Sequence, residues 1–198
     1  MKSYSNFVLQ LVLVLFMSSY TLADIIVESG AGGINNSSYS EKGIKWQNST
    51  SKSTAAGLTP SINARWCDFQ AATTSFDTAI FNPLINTAGN YQLFVTWNLG
   101  NASSVRYQVF NTSGIQTSIY LLQDGYGQQG PSNAHQWISI GTYDFDSGTS
   151  GHVELSSADT YGRPGTTGNF RVYSDAVKWV STAPPVAPVN LLRQKFLK

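Results

Sequence analysis

The chain has 198 residues, 12% of them charged and 13% aromatic, with a formal net charge of +1. Between Asp24 and Ser181 eight Lys/Arg stand against eleven Asp/Glu, so this body is slightly acidic and lacks the basic, aromatic-interleaved stripe that holds nucleic acid. A single cysteine, Cys67, excludes an intrachain disulfide, and two histidines, His135 and His152, leave little material for metal or general-base chemistry.

Residues 1–23 have a cationic start at Lys2, an apolar stretch from Phe7 to Met17 and a small-residue ending at Thr21-Leu22-Ala23. That pattern predicts a secretory signal peptide, hence a secreted protein, extracellular or periplasmic. The apolar stretch is shorter than the ~20 residues of a membrane span, and an uncleaved anchor is the alternative reading. Residues 24–181 are long enough for one domain with a core. Residues 182–198 read as a Pro-rich linker, Ala183–Val189, and a short basic tail, Asn190–Lys198.

Within 24–181 helical periodicity is almost absent, while short alternating or β-branched runs recur between Gly, Asn, Pro and Ser. The expected strands are Ile25–Glu28, Ile44–Gln47, Ser61–Trp66, Ser75–Phe81, Gly89–Trp97, Ser104–Asn111, Gly114–Leu122, His135–Tyr143, His152–Ser156 and Asn169–Val180. Such spacing predicts an all-β fold, a two-sheet sandwich or jelly roll. Tyr91, Leu93, Val95 and Trp97 form the core face of the clearest strand. The turn at Asp146–Gly151 predicts a hairpin joining Tyr143–Phe145 to His152–Leu155. Long polar loops are expected at Gly30–Lys42, Asp124–Asn133 and Ser157–Gly168.

One residue disturbs the pattern. In Arg171–Val180 a period of two places Tyr173, Asp175, Val177 and Trp179 on one face, so a carboxylate falls on the side meant for the core. A buried carboxylate needs a partner; backbone N–H groups, a hydroxyl, Arg65, Arg106 or Arg171 are the candidates. As a structural clamp, Asp175 is expected to tolerate Asn with mild loss and Ala or Leu with a loss of about 1–3 kcal/mol.

Signatures of catalysis are missing: the chain has no nucleophile elbow, phosphate loop or zinc-protease motif. Both histidines read as structural, and Cys67, between aromatics, reads as a buried inert thiol. An acid pair acting as a hydrolase or lyase stays open, because eleven acids have unknown spacing. Asp144 and Asp146 share a strand face before a Gly turn and are a weak calcium candidate, against the simpler reading of a solvated face. Five sequons occur, at Asn35, Asn36, Asn48, Asn101 and Asn111. Trp46, Trp97, Trp137 and Trp179 read as packing rather than sugar platforms. Tyr126 and Gln128, with Tyr161 and Arg163, lie in Gly-rich loops where packing is less obligatory, and these four are the expected ligand-binding residues.

The order of motifs carries a resemblance. Ala79-Ile-Phe-Asn-Pro83, Ala88–Trp97, Asn101–Val109, Gln136-Trp-Ile-Ser-Ile-Gly-Thr-Tyr-Asp-Phe145, Gly148–Leu155 and Ser174-Asp-Ala-Val-Lys-Trp179 together resemble the golvesin and xanthan-lyase carbohydrate-binding-like domain family. The likeness runs from about Ile25 to Val180. It implies a jelly-roll sandwich similar to galactose-binding modules, and a non-catalytic accessory role that needs no cofactor. It further implies a polysaccharide or cell-surface glycan as ligand. Trp137, Gly141, Phe145 and Asp175 match as framework residues. The competing expectation is a protein-interaction or envelope-matrix module, with a protein partner reached through the tail Leu191–Lys198.

Overall fold

The structure is a computed structural model that describes residues 22–68, 77–98, 100, 105–115, 118–123, 133–156 and 171–183. Among them thirteen strands follow one another: β1 Ile25–Glu28, β2 Tyr39–Lys42, β3 Gln47–Asn48, β4 Arg65–Asp68, β5 Thr78–Phe81, β6 Gly89–Thr96, β7 Val105–Asn111, β8 Gly114–Ile115, β9 Ile119–Leu121, β10 Ile138–Phe145, β11 His152–Ser156, β12 Arg171–Ser174 and β13 Ala176–Ser181. A 3-10 turn at Asn36–Ser38 precedes β2. Every pairing among these described strands is antiparallel.

The strands form a β-sandwich. One sheet has the order β1-β13-β6-β10; the other runs β2-β5-β11-β7-β8, with β9 also on β7. Alternation along the chain builds the core between them. In β6, Tyr91, Leu93 and Val95 point inward while Gln92 and Phe94 are half-exposed. In β7 and β11 the inward residues are Val105, Tyr107, Val109, Val153 and Leu155. These meet Val27, Val177 and Trp179 in one cluster, each such apolar side chain contributing about 1.5–3 kcal/mol of burial. A third, small sheet, β12-β4-β3, adds Cys67 and Val172 to the same core.

Several expected elements differ. The run Asn169–Val180 is not one strand: β12 pairs with β4 in the small sheet, and β13 pairs with β1 and β6 in the four-stranded one. Asp175 is the residue between them. There the ladder breaks, and its carbonyl accepts the Ser29 N–H at 2.7 Å. The expected hairpin through Asp146–Gly151 is also absent, since β10 pairs with β6 while β11 pairs with β5 and β7. This turn carries the chain from one sheet to the other, fastened by mutual backbone bonds between Ile85 and Gly148. The stretch Gly30–Lys42, expected as loop, ends in β2. Strands expected at Ile44–Gln47 and Ser61–Trp66 sit later, at β3 and β4, and Ile44 is almost fully exposed. Gly114–Leu122 divides into β8 and β9. His135 takes a left-handed φ of 63°, so β10 starts only at Ile138.

Gly141 bends β10. A register irregularity lies between Ser139 and Gly141, where Gly141 has φ 123°, a region that disfavours any Cβ. Tyr143 arches back over it and donates from its hydroxyl to the Ile140 carbonyl at 2.7 Å. A Cβ on Gly141 would stand 2.6–2.9 Å from the Tyr143 ring atoms and hydroxyl.

Candidate functional site

The outer face of the six-stranded sheet holds a concavity of about 550 Å³, within the size range of ligand pockets. Its lining includes Ser40, Lys42, Asn82, Thr149, His152 and Glu154. Period two explains the set: Val153 and Leu155 turn into the core, so His152 and Glu154 turn out. Register brings the neighbours alongside. Ser40 and Glu154 both lie opposite Ile80, and His152 lies opposite Phe110.

Strand β2, at the edge of that sheet, is held by its inward side chains. Tyr39 packs on Phe81 with ring centroids 5.0 Å apart, and its hydroxyl donates to Glu41 Oε1 at 2.8 Å. Burial pushes the Tyr39 phenol far above its ordinary value, so it remains a neutral donor. Arg65 grips both Glu41 oxygens, Nε to Oε1 at 2.7 Å and Nη2 to Oε2 at 2.8 Å, a bidentate geometry stronger than a single ion pair. With Tyr39 and Glu41 fixed beneath, Ser40 and Lys42 face outward.

The concavity has a defined electrostatic centre. Glu154 Oε1 lies 3.5 Å from His152 Nε2 and 3.8 Å from Lys42 Nζ. The His152 contact, and beyond it the Lys42 charge, outweigh partial burial and hold the Glu154 carboxyl below its ordinary value, so at neutral pH it is an ionised acceptor. His152 Nδ1 lies 3.3 Å from the Ser150 carbonyl. The imidazole stacks on Phe110 at 4.2 Å with a 9° tilt, so one ring face is covered and each ring nitrogen has an acceptor beside it.

The residues named from sequence are distributed differently. Tyr126, Gln128, Tyr161 and Arg163 fall outside the described residues, as do residues 1–21 and the tail from 184 onward. Trp97, Trp179 and Phe145 are buried in the core. Trp137 is half-buried; its indole N–H donates to the Ala56 carbonyl at 2.9 Å, and Lys178 Nζ lies 4.5 Å from its ring and 5.0 Å from that of Phe94. Asp144 and Asp146 are exposed, and no group of three or more metal-ligating side chains occurs among the described residues.

Asp175 is 5% exposed, and its carboxylate accepts the Ser53 backbone N–H. Arg65 is turned to Glu41 instead. Burial pushes the Asp175 carboxyl up to about 7; the Ser53 N–H opposes this, and the nearby Glu28 charge adds to it. Glu28, 2% exposed, is itself committed. It accepts from Ile34 N at 2.6 Å, Thr59 N at 2.7 Å and Thr59 Oγ1 at 2.6 Å. These two acids are fasteners sealed inside the fold. Among the described residues that line the concavity Glu154 is the one carboxylate, whereas acid-pair glycoside cleavage uses two. It offers one fixed acceptor, one exposed cation, hydroxyls and an amide.

The site was partly legible. His152 and Glu154 are two apart in a strand, a spacing that puts them on one face. The histidine's polar partners, Ser150 and Glu154, are each two residues away; what the sequence hides is the Phe110 ring stacked on it across the sheet and the Lys42 charge beyond Glu154.

Comparison with known proteins agrees with this architecture. The model of the Golvesin C-terminal domain family matches residues 34–181. A xanthan lyase of Bacillus sp. (strain GL1) is 28% identical over 130 residues, covering 65% of this chain and 13% of that protein. The solved structure of a Paenibacillus xanthan lyase superimposes with a TM-score of 0.57 at 21% identity, over 81% of this chain and 13% of that one. The chain thus matches a small part of either lyase.

Proposed function

The chain belongs to the Golvesin C-terminal domain family, and from that premise we propose that it is an exported, non-catalytic accessory module that binds a polysaccharide or cell-surface glycan. The observation that carries the reading is the concavity on the outer face of the six-stranded sheet, where hydroxyls, an amide, an ammonium and an ionised carboxylate converge on a rigid floor. Sugars present closely spaced hydroxyl donors and acceptors, and this set answers both. The likeness to 13% of a xanthan lyase supports an accessory role beside a catalytic body. No described helix is long and apolar enough to cross a membrane.

The full chain, presented to a glycan array and to immobilised cell-wall, matrix and storage polysaccharides, is expected to be retained by at least one. Replacing Lys42 and Glu154 together by alanine abolishes that retention while far-ultraviolet circular dichroism is unchanged. Retention by none of these polysaccharides overturns the proposal. Loss in Tyr126→Ala or Tyr161→Ala, with the Lys42/Glu154 variant still bound, moves the surface to the two loops.

A further inference from the structure

The concavity also carries a selection rule, and it rests on the glycan reading just given. We infer that Glu154 and Lys42 clamp adjacent hydroxyls of one neutral sugar ring beside His152, and that carboxylated sugars are turned away. Glu154 is acceptor-only when ionised and Lys42 is donor-only. At 3.8 Å their contact is an ion pair longer than a hydrogen bond. A hydroxyl donating to Glu154 and its neighbour accepting from Lys42 fill that gap with two charge-assisted bonds. The Lys42 side chain is 70% exposed on an edge strand, free to adjust. The Glu154 side chain, 18% exposed, is fixed.

His152 sets the orientation. Its nitrogens face Ser150 and Glu154, and Phe110 covers one side of the ring. So held, the imidazole is a fixed wall of the concavity and orients a ring bound beside Glu154. Ser40, Asn82 and Thr149 reach the outer hydroxyls. A sugar carboxylate here meets the ionised Glu154, while Lys42, the single Lys or Arg among the described lining residues, is already shared with it. Like charges at such range repel unless each has its own counter-ion.

The test uses the full chain at neutral pH and moderate salt, with a glucan, a galactan and a mannan. Each is paired with a form whose primary hydroxyls have been oxidised to carboxylates. Affinity electrophoresis is expected to show at least one neutral polymer bound about tenfold or more tighter than its oxidised partner, the effect of one charged hydrogen bond. Glu154→Gln, which keeps size and shape, weakens the neutral polymer by about tenfold and shrinks the preference to about threefold or less. Lys42→Met weakens both forms. Equal or tighter binding of an oxidised polymer by the native chain, or an unchanged preference in Glu154→Gln, overturns this inference and leaves the glycan reading standing. Retention of no polymer, neutral or oxidised, counts against the glycan reading itself.

Discussion

Replacing Asp175 by asparagine tests whether this acid is held against its charge. In the native fold its carboxyl is raised to about 7 by burial and by the Glu28 charge; in the unfolded chain it returns to about 3.9. The folded value is the higher one, so the contribution to stability is fully present below about pH 4 and is lost as pH rises through about 7. Over that window the loss is about 1.4 kcal/mol per pH unit, or up to ~4 kcal/mol in total. Asparagine cannot ionise, yet it keeps a side-chain oxygen for the Ser53 N–H. Asp175→Asn should therefore match the native protein near pH 4 and exceed it by about 2–4 kcal/mol at pH 8. That reverses the mild loss expected from the sequence. Urea unfolding followed by tryptophan fluorescence at pH 4.5, 6 and 8 measures it, and the difference between the two proteins cancels other titrating groups. An Asp175→Asn protein less stable than native at pH 8, or with the same pH slope, refutes the reasoning.

Other substitutions probe the supports of the site. Glu28→Ala orphans three donors, from Ile34 and Thr59, and should cost about 2–4 kcal/mol in urea unfolding, with faster amide exchange at Ile34 and Thr59. Gly141→Ala must hold a Cβ at φ 123° against the Tyr143 ring and should lower stability by about 1–3 kcal/mol, visible as a fall in thermal midpoint. Arg65→Lys replaces a two-point grip on Glu41 with a point charge; a loss of about 1 kcal/mol is expected, together with weaker glycan retention as β2 loosens and Lys42 loses its position.

Strands β1 and β11 lie where alternation places them, and β6 and β7 within a residue of it, because each carries its own apolar face. Strand β2 was hidden: Tyr39-Ser40-Glu41-Lys42 has no apolar alternation, and its inward face is a tyrosine and a glutamate made acceptable by Phe81 and Arg65. Asp175 misled in another way. Period-two reasoning treats Arg171–Val180 as one ribbon, but the chain changes sheets at the aspartate, and its partner Ser53 is 122 positions away. The ligand residues chosen from loop composition rest on chemistry without geometry. The concavity came from cross-strand neighbours instead.

The sequence by itself determined that this is a sandwich of short strands, since a side chain's side of a strand is a local property that alternates whatever the partner. Motif order also pointed to the family that the match over residues 34–181 bears out. Tertiary structure alone decided which strands pair, where the chain passes between sheets and which polar side chains converge. Those outcomes depend on contacts between distant segments: a buried carboxylate's protonation is set by what surrounds it, and Glu154, already beside His152 on its own strand, meets Lys42 only when β2, β5 and β11 lie edge to edge.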